Sequence, residues 1–131
     1  MNDMKLINSL VLAAVFAGAS ALLAAELPPA ADKKDVTYVS DVKPIFDKNC
    51  VGCHGPEKQK AKLRLDSLAA ALKGSEEGRV IEPGNSAKSD LVKSVAHVGD
   101  PDDYMPRGRN AKPLTGEQIG LIRAWIDQGA K

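Results

Sequence analysis

The feature that most constrains this chain is the pentapeptide Cys50-Val51-Gly52-Cys53-His54, which holds both of its cysteines. Two thiols about one helical turn apart, followed at once by an imidazole, are what covalent attachment of a haem requires. The thiols add to the two vinyl groups of one porphyrin, and the adjoining histidine reaches the iron as an axial ligand. Two other chemistries share parts of the pattern. A thioredoxin-like redox pair has the same Cys spacing but sits in a βαβ context, and no segment here alternates with a strand's period. A closed zinc site takes four Cys or His ligands, and the only candidates are Cys50, Cys53, His54 and His97. The expectation is one haem c, bound through Cys50 and Cys53, with His54 on the iron.

Such a group would also supply the core. Beyond residue 25 the only aromatic residues are Tyr38, Phe46, Tyr104 and Trp125. A small domain with so few large apolar side chains ordinarily depends on a staple, a metal or a cofactor. A haem burying on the order of 400 Å² of apolar surface would contribute about 10 kcal/mol at ~25 cal/mol per Å². That matches the whole stability of a typical domain. The formal net charge of +1 implies neither nucleic acid nor an anionic membrane as a partner.

Residues 1–25 read as a signal peptide. Lys5 precedes the apolar run Leu6–Ala25, small residues close it, and polarity returns at Glu26, so cleavage is placed after Ala21 or Ala25. An uncleaved anchor is the alternative, since about 20 apolar residues just span a bilayer, and membrane association is expected only in that case. Export to the periplasm agrees with the cysteines, because an exported Cys pair without haem would tend toward a strained disulfide. Residues 26–37, with two prolines and several charges, read as a flexible linker. Residues 38–131 remain for one domain.

That domain reads as all-α, a small cytochrome c fold of about four helices wrapped around the haem. Tyr38, Val42, Ile45 and Phe46 share one face of a helix over Tyr38–Lys48 that delivers Cys50. Pro44 lies in its first turn if Asp41 is the cap, or kinks it if the helix starts at Thr37. A short helix spans Asp66–Lys73, stopped by Gly74, and a third spans Ser86–His97 with Ser86 as cap. Thr115 and Gln118 form a capping box for the last helix, Leu114 staples onto Ile119, and Gly129 ends it. Ile119, Ile122 and Ile126, joined by Leu121 and Trp125, form its apolar stripe. Phe46 and Trp125 are expected to pack together beside the haem.

The second axial ligand is expected to be Met105, in the stiff stretch Asp103-Tyr104-Met105-Pro106-Arg107. A thioether favours ferrous iron and raises the reduction potential. His97, at a helix end, is the competing ligand, although a histidine there more often caps carbonyls. Arg107 and Arg109 are candidates to pair with the haem propionates. Lys58, Lys60, Lys62 and Arg64 form a basic strip that either steers an acidic redox partner or is merely a solvated face.

These residues together identify a resemblance. Val42–Cys50, Cys53–Lys60, Leu63–Ser67, Glu82–Ser86, Tyr104–Pro106 and Trp125–Ala130 resemble the planctomycete-type cytochrome c domain across nearly the whole stretch from Tyr38 to Ala130. The resemblance implies thioether bonds at Cys50 and Cys53, His54 as proximal ligand and Met105 as distal ligand. One departure is Arg107, where the family usually has a second proline. The function expected is that of an exported, monomeric electron carrier between a redox protein donor and an acceptor, not an enzyme. The alternative is a five-coordinate haem enzyme or gas-binding sensor, in which Met105 is displaceable.

Overall fold

The computed structural model describes residues 26–131, so the expected signal peptide lies outside the described residues. Among them are four α-helices and no strand: α1 (Lys43–Asn49), α2 (Leu68–Lys73), α3 (Asp90–Ala96) and α4 (Gly116–Asp127). They form a small helical bundle, and none is long and apolar enough to cross a membrane.

Pro44 decides how the first helix is wound. The helical stretch starts early: Thr37 is the cap, its hydroxyl accepting from the Ser40 N–H, and Asp41 accepts from the Thr37 N–H at 3.0 Å. A proline so far from the cap would press its ring on the carbonyl four residues back. Residues Tyr38–Val42 are instead wound as a wider π-turn that passes the Lys43 N–H to the Tyr38 carbonyl, and Pro44 falls in the first turn of the α-helix that follows.

Two expected helices are shorter than the sequence pattern suggests. α2 begins after Ser67, whose hydroxyl accepts from the Ala70 N–H, because Asp66 is occupied by the Arg64 guanidinium at 2.9 and 2.7 Å. The expected helix Ser86–His97 is a 3-10 turn, Ser86–Lys88, followed by α3. Ser86 is not its cap. Ser86 is buried, its N–H and hydroxyl donate to the Asp127 carboxylate at 2.7 and 3.0 Å, and its oxygen accepts from Arg123. A serine engaged with α4 cannot also satisfy the first turn of α3.

α4 follows expectation. Thr115 and Gln118 form the reciprocal capping box. At its other end the Gly129 N–H bonds the Ile126 carbonyl and the Ala130 N–H bonds the Trp125 carbonyl, both at 2.9 Å, the two bonds of a Schellman motif. Trp125, fully buried, meets Phe46 edge-on, with ring centroids 6.3 Å apart at 84°. Tyr38 completes a triangle, 5.9 Å from Trp125 and 6.3 Å from Phe46. Its hydroxyl donates to the Leu65 carbonyl at 2.8 Å and the Trp125 indole to that of Lys131 at 2.9 Å, so neither polar tip is buried unpaired.

Residues 26–37 do not behave as a flexible linker. The Ala31 N–H bonds the Gly120 carbonyl, Arg123 donates to the Pro28 carbonyl, and Gln128 bridges the Lys33 carbonyl and the Val36 N–H. Val36 is buried and Leu27 and Ala31 pack on the core. A Cβ on Gly120 would lie 2.9 Å from the Pro29 carbonyl oxygen, so the strap can lie this close to α4 only where the helix has no side chain. Prolines and charges suggest a tether, but α4's own polar side chains bind the strap's backbone.

Candidate functional site

α1 ends at Asn49, and the chain continues as tight turns that keep Cys50, Cys53 and His54 together. The Cys50 N–H bonds the Phe46 carbonyl at 2.8 Å, and the Cys53 and His54 N–H groups both bond the Cys50 carbonyl, at 3.1 and 2.9 Å. The chain then folds back: Gly55 N–H to Lys58 carbonyl at 2.8 Å, Lys60 N–H to Cys53 carbonyl at 3.0 Å, and Leu65 N–H to His54 carbonyl at 2.8 Å. Gly55 permits this, since a Cβ there would fall 2.4 Å from the Val51 carbonyl oxygen. Phe46, one helical turn before Cys50, links this segment to the aromatic triangle.

The fold-back orients the imidazole. His54 Nδ1 lies 3.1 Å from the Lys60 carbonyl oxygen, and a carbonyl can only accept, so Nδ1 carries the proton. Nε2 then presents its lone pair, the arrangement that second-sphere carbonyls impose on metal-binding histidines.

The Met105 loop arrives from α3. The Met105 N–H donates to the Ser94 carbonyl at 3.1 Å, and its own carbonyl accepts from His97 Nε2 at 3.0 Å. Cys50, Cys53, His54 and Met105 all line one cavity of about 630 Å³, whose wall also includes Phe46, Leu63, Leu65, Leu91 and Val95. That volume lies inside the ~300–1,000 Å³ range of cofactor sites, and its lining mixes these apolar side chains with charged ones, among them Lys60, Glu77, Arg79 and Arg107. A haem fits this donor set: two unpaired thiols, one imidazole with its tautomer set, and one thioether.

The alternatives fit less well. Burial pushes the Cys50 thiol up to about 12, the opposite of the lowered value a thiol-redox nucleophile needs. Among the described residues no three His, Cys, Asp or Glu side chains come together to hold a metal ion, as zinc would require.

Residues 50–107 match the family model of planctomycete cytochrome C. Over that stretch the chain is similar to the planctomycete cytochrome C family. The stretch starts at the first cysteine and ends just past Met105, so it contains all four cavity residues singled out by their chemistry. No curated protein and no solved structure matches the chain.

Other expected site residues are placed differently from one another. His97 does not line the cavity; its ring lies flat on Tyr104, with centroids 4.7 Å apart at 2°. Arg107 lines the cavity and Arg109 does not, while Arg79, which the sequence does not mark out, also lines it. Of the basic strip, Arg64 is paired with Asp66 and Lys62 approaches Glu76 at 3.8 Å; Lys58 and Lys60 are exposed. The Lys60 carbonyl, rather than its ammonium, is the part that orients His54. No side-chain pattern signals a main-chain role of that kind.

Proposed function

We propose that this chain is a mono-haem c-type cytochrome, a small cytochrome c fold exported to the periplasm, where it carries electrons as a monomer between a redox protein donor and acceptor. The single observation that carries the reading is the convergence of Cys50, Cys53, His54 and Met105 on one largely apolar cavity. The bound haem would supply one-electron exchange between ferric and ferrous iron.

The chain's own residues do the rest. Cys50 and Cys53 provide the sulfur atoms for covalent attachment. Lys60, through its carbonyl, keeps the proton on His54 Nδ1 and leaves Nε2 for the iron. Met105 offers a soft thioether, which favours the reduced state. Phe46, Leu63, Leu65, Leu91 and Val95 give the cavity its apolar surface, and the apolar shell around a site is one of the protein's means of setting a potential. His54 and Met105 would both hold the iron of a bound haem, and because the chain offers two such ligands to one cavity, electron transfer is preferred to catalysis or gas binding.

The test is an absorption spectrum of protein expressed with haem-maturation machinery, recorded oxidised and reduced. A low-spin spectrum in both states, with the weak far-red band of thioether-ligated ferric haem, is expected. A high-spin spectrum that shifts on adding CO would replace the carrier reading with an open-iron enzyme or sensor.

A further inference from the structure

We propose that His97 is a positioning residue for Met105, the strut that holds the methionine loop in place, rather than a ligand itself. The inference rests on the reading of Met105 as the second axial ligand. His97 closes α3 in the left-handed conformation, φ 55° and ψ 48°, with its N–H on the Lys93 and Ser94 carbonyls, a backbone region that glycine enters most freely and that His, Asn and Asp enter more often than other side chains. From that position Nε2 donates to the Met105 carbonyl at 3.0 Å, while the Ser94 carbonyl accepts from the Met105 N–H at 3.1 Å. Both main-chain polar groups of Met105 are thus tied to the last turn of one helix. The stacked Tyr104 ring covers the imidazole, and Tyr104 is anchored in turn by its hydroxyl on the Gly99 carbonyl at 3.3 Å and its carbonyl on Arg107 Nε at 3.1 Å.

Two consequences separate this role from simpler ones. A ligand role would require His97 to give up its donor contact and enter a cavity it does not line. A pure helix cap would be served as well by glycine, which adopts the left-handed conformation without strain. Glycine cannot hold the Met105 carbonyl. His97→Gly therefore leaves the cap intact and removes the imidazole, with both its bond to the Met105 carbonyl and its stack on Tyr104; the hydrogen bond alone is what His97→Gln gives back.

The experiment uses the haem-loaded ferric protein and reads two signals, the far-red thioether band and the apparent affinity for added imidazole. Exogenous imidazole must displace Met105, so its apparent affinity reports the fraction of loop already open. In His97→Gly the affinity is expected to rise about 2- to 10-fold, the equivalent of one net hydrogen bond, with the denaturation midpoint no lower than wild type. His97→Gln, which keeps an N–H donor, is expected to restore part of the difference. An imidazole affinity equal to wild type in His97→Gly, with the thioether band present in both, overturns the strut. A wild-type protein lacking the thioether band instead removes the Met105 reading on which it stands. If His97→Gly does not accumulate, nitrogen-15 NMR of the wild type decides: a protonated Nε2 supports the strut, and an unprotonated Nε2 overturns it.

Discussion

The His54 turn and the Met105 loop line the same cavity but are held there by different means. The turn is continuous with α1, is closed by main-chain bonds between near neighbours, and is connected through Phe46 to the buried Tyr38–Phe46–Trp125 triangle. The loop has no helix of its own beyond a 3-10 turn at Pro101–Asp103 and leans on α3 through Ser94 and His97. Both walls touch the hydrophobic core, through Cys50 and Met105, but the first is continuous with a core helix, and the second is fastened to α3 by the polar contacts of Ser94 and His97. Damage to the first is expected to appear as lost stability, and damage to the second as changed ligation.

The largest test of that contrast is Trp125→Ala. It removes the shared side of the triangle and is expected to cost about 3–5 kcal/mol, as truncation of large buried aromatics does, measured by denaturant unfolding of the haem-loaded protein. A cost below about 1 kcal/mol would mean that the turn does not depend on the core. Tyr38→Phe is the next step down. It leaves the Leu65 carbonyl without its donor, an expected loss of about 1–3 kcal/mol. It also carries a pH signature. Burial first, and then the charges of Asp47 and Asp66, push the Tyr38 hydroxyl up to about 12. With the folded value above the unfolded value of about 10, its contribution is complete below that pH and is lost as pH rises toward the folded value. Stability measured through that alkaline window should fall less steeply in Tyr38→Phe than in wild type; parallel curves would contradict the assignment.

Asp66→Asn is the smallest perturbation. The Arg64 guanidinium, through its hydrogen bonds, holds the Asp66 carboxyl below the ordinary carboxylate range. Its contribution is therefore present above the unfolded value near pH ~4 and disappears as pH falls through the lowered one. The substitution should flatten the acid limb of the stability curve slightly, as expected for a solvent-screened pair, and leave the haem spectrum unchanged. A spectral change would place this pair in the site instead of beside it.

The contrast also explains what could be read from the sequence. Features written in neighbouring residues were legible: the Cys50–His54 motif, the Thr115–Gln118 capping box, and the approximate extents of α1 and α4. Phe46 and Trp125 were legible as a pair because both sit on apolar helix faces, and Tyr38 was legible on the face of Phe46, though its contact with Trp125 depends on a partner distant in sequence. Features that depend on distant partners were not. Ser86 looks like a helix cap until Asp127 is found beside it. The strap at residues 26–37 looks like a tether because its binding groups, Arg123 and Gln128, are about 95 residues away. His97 looks like a spare ligand, since nothing local shows that its imidazole is engaged with the Met105 carbonyl.

The most direct measurement is made on Met105→Ala, purified with its haem. The account predicts that covalent haem is retained, that the denaturation midpoint moves far less than in Trp125→Ala, and that the far-red thioether band vanishes while the iron becomes open to CO and imidazole. A spectrum indistinguishable from wild type would contradict it, because Met105 would then not be bound to the iron and the two walls of the cavity would not divide stability from ligation.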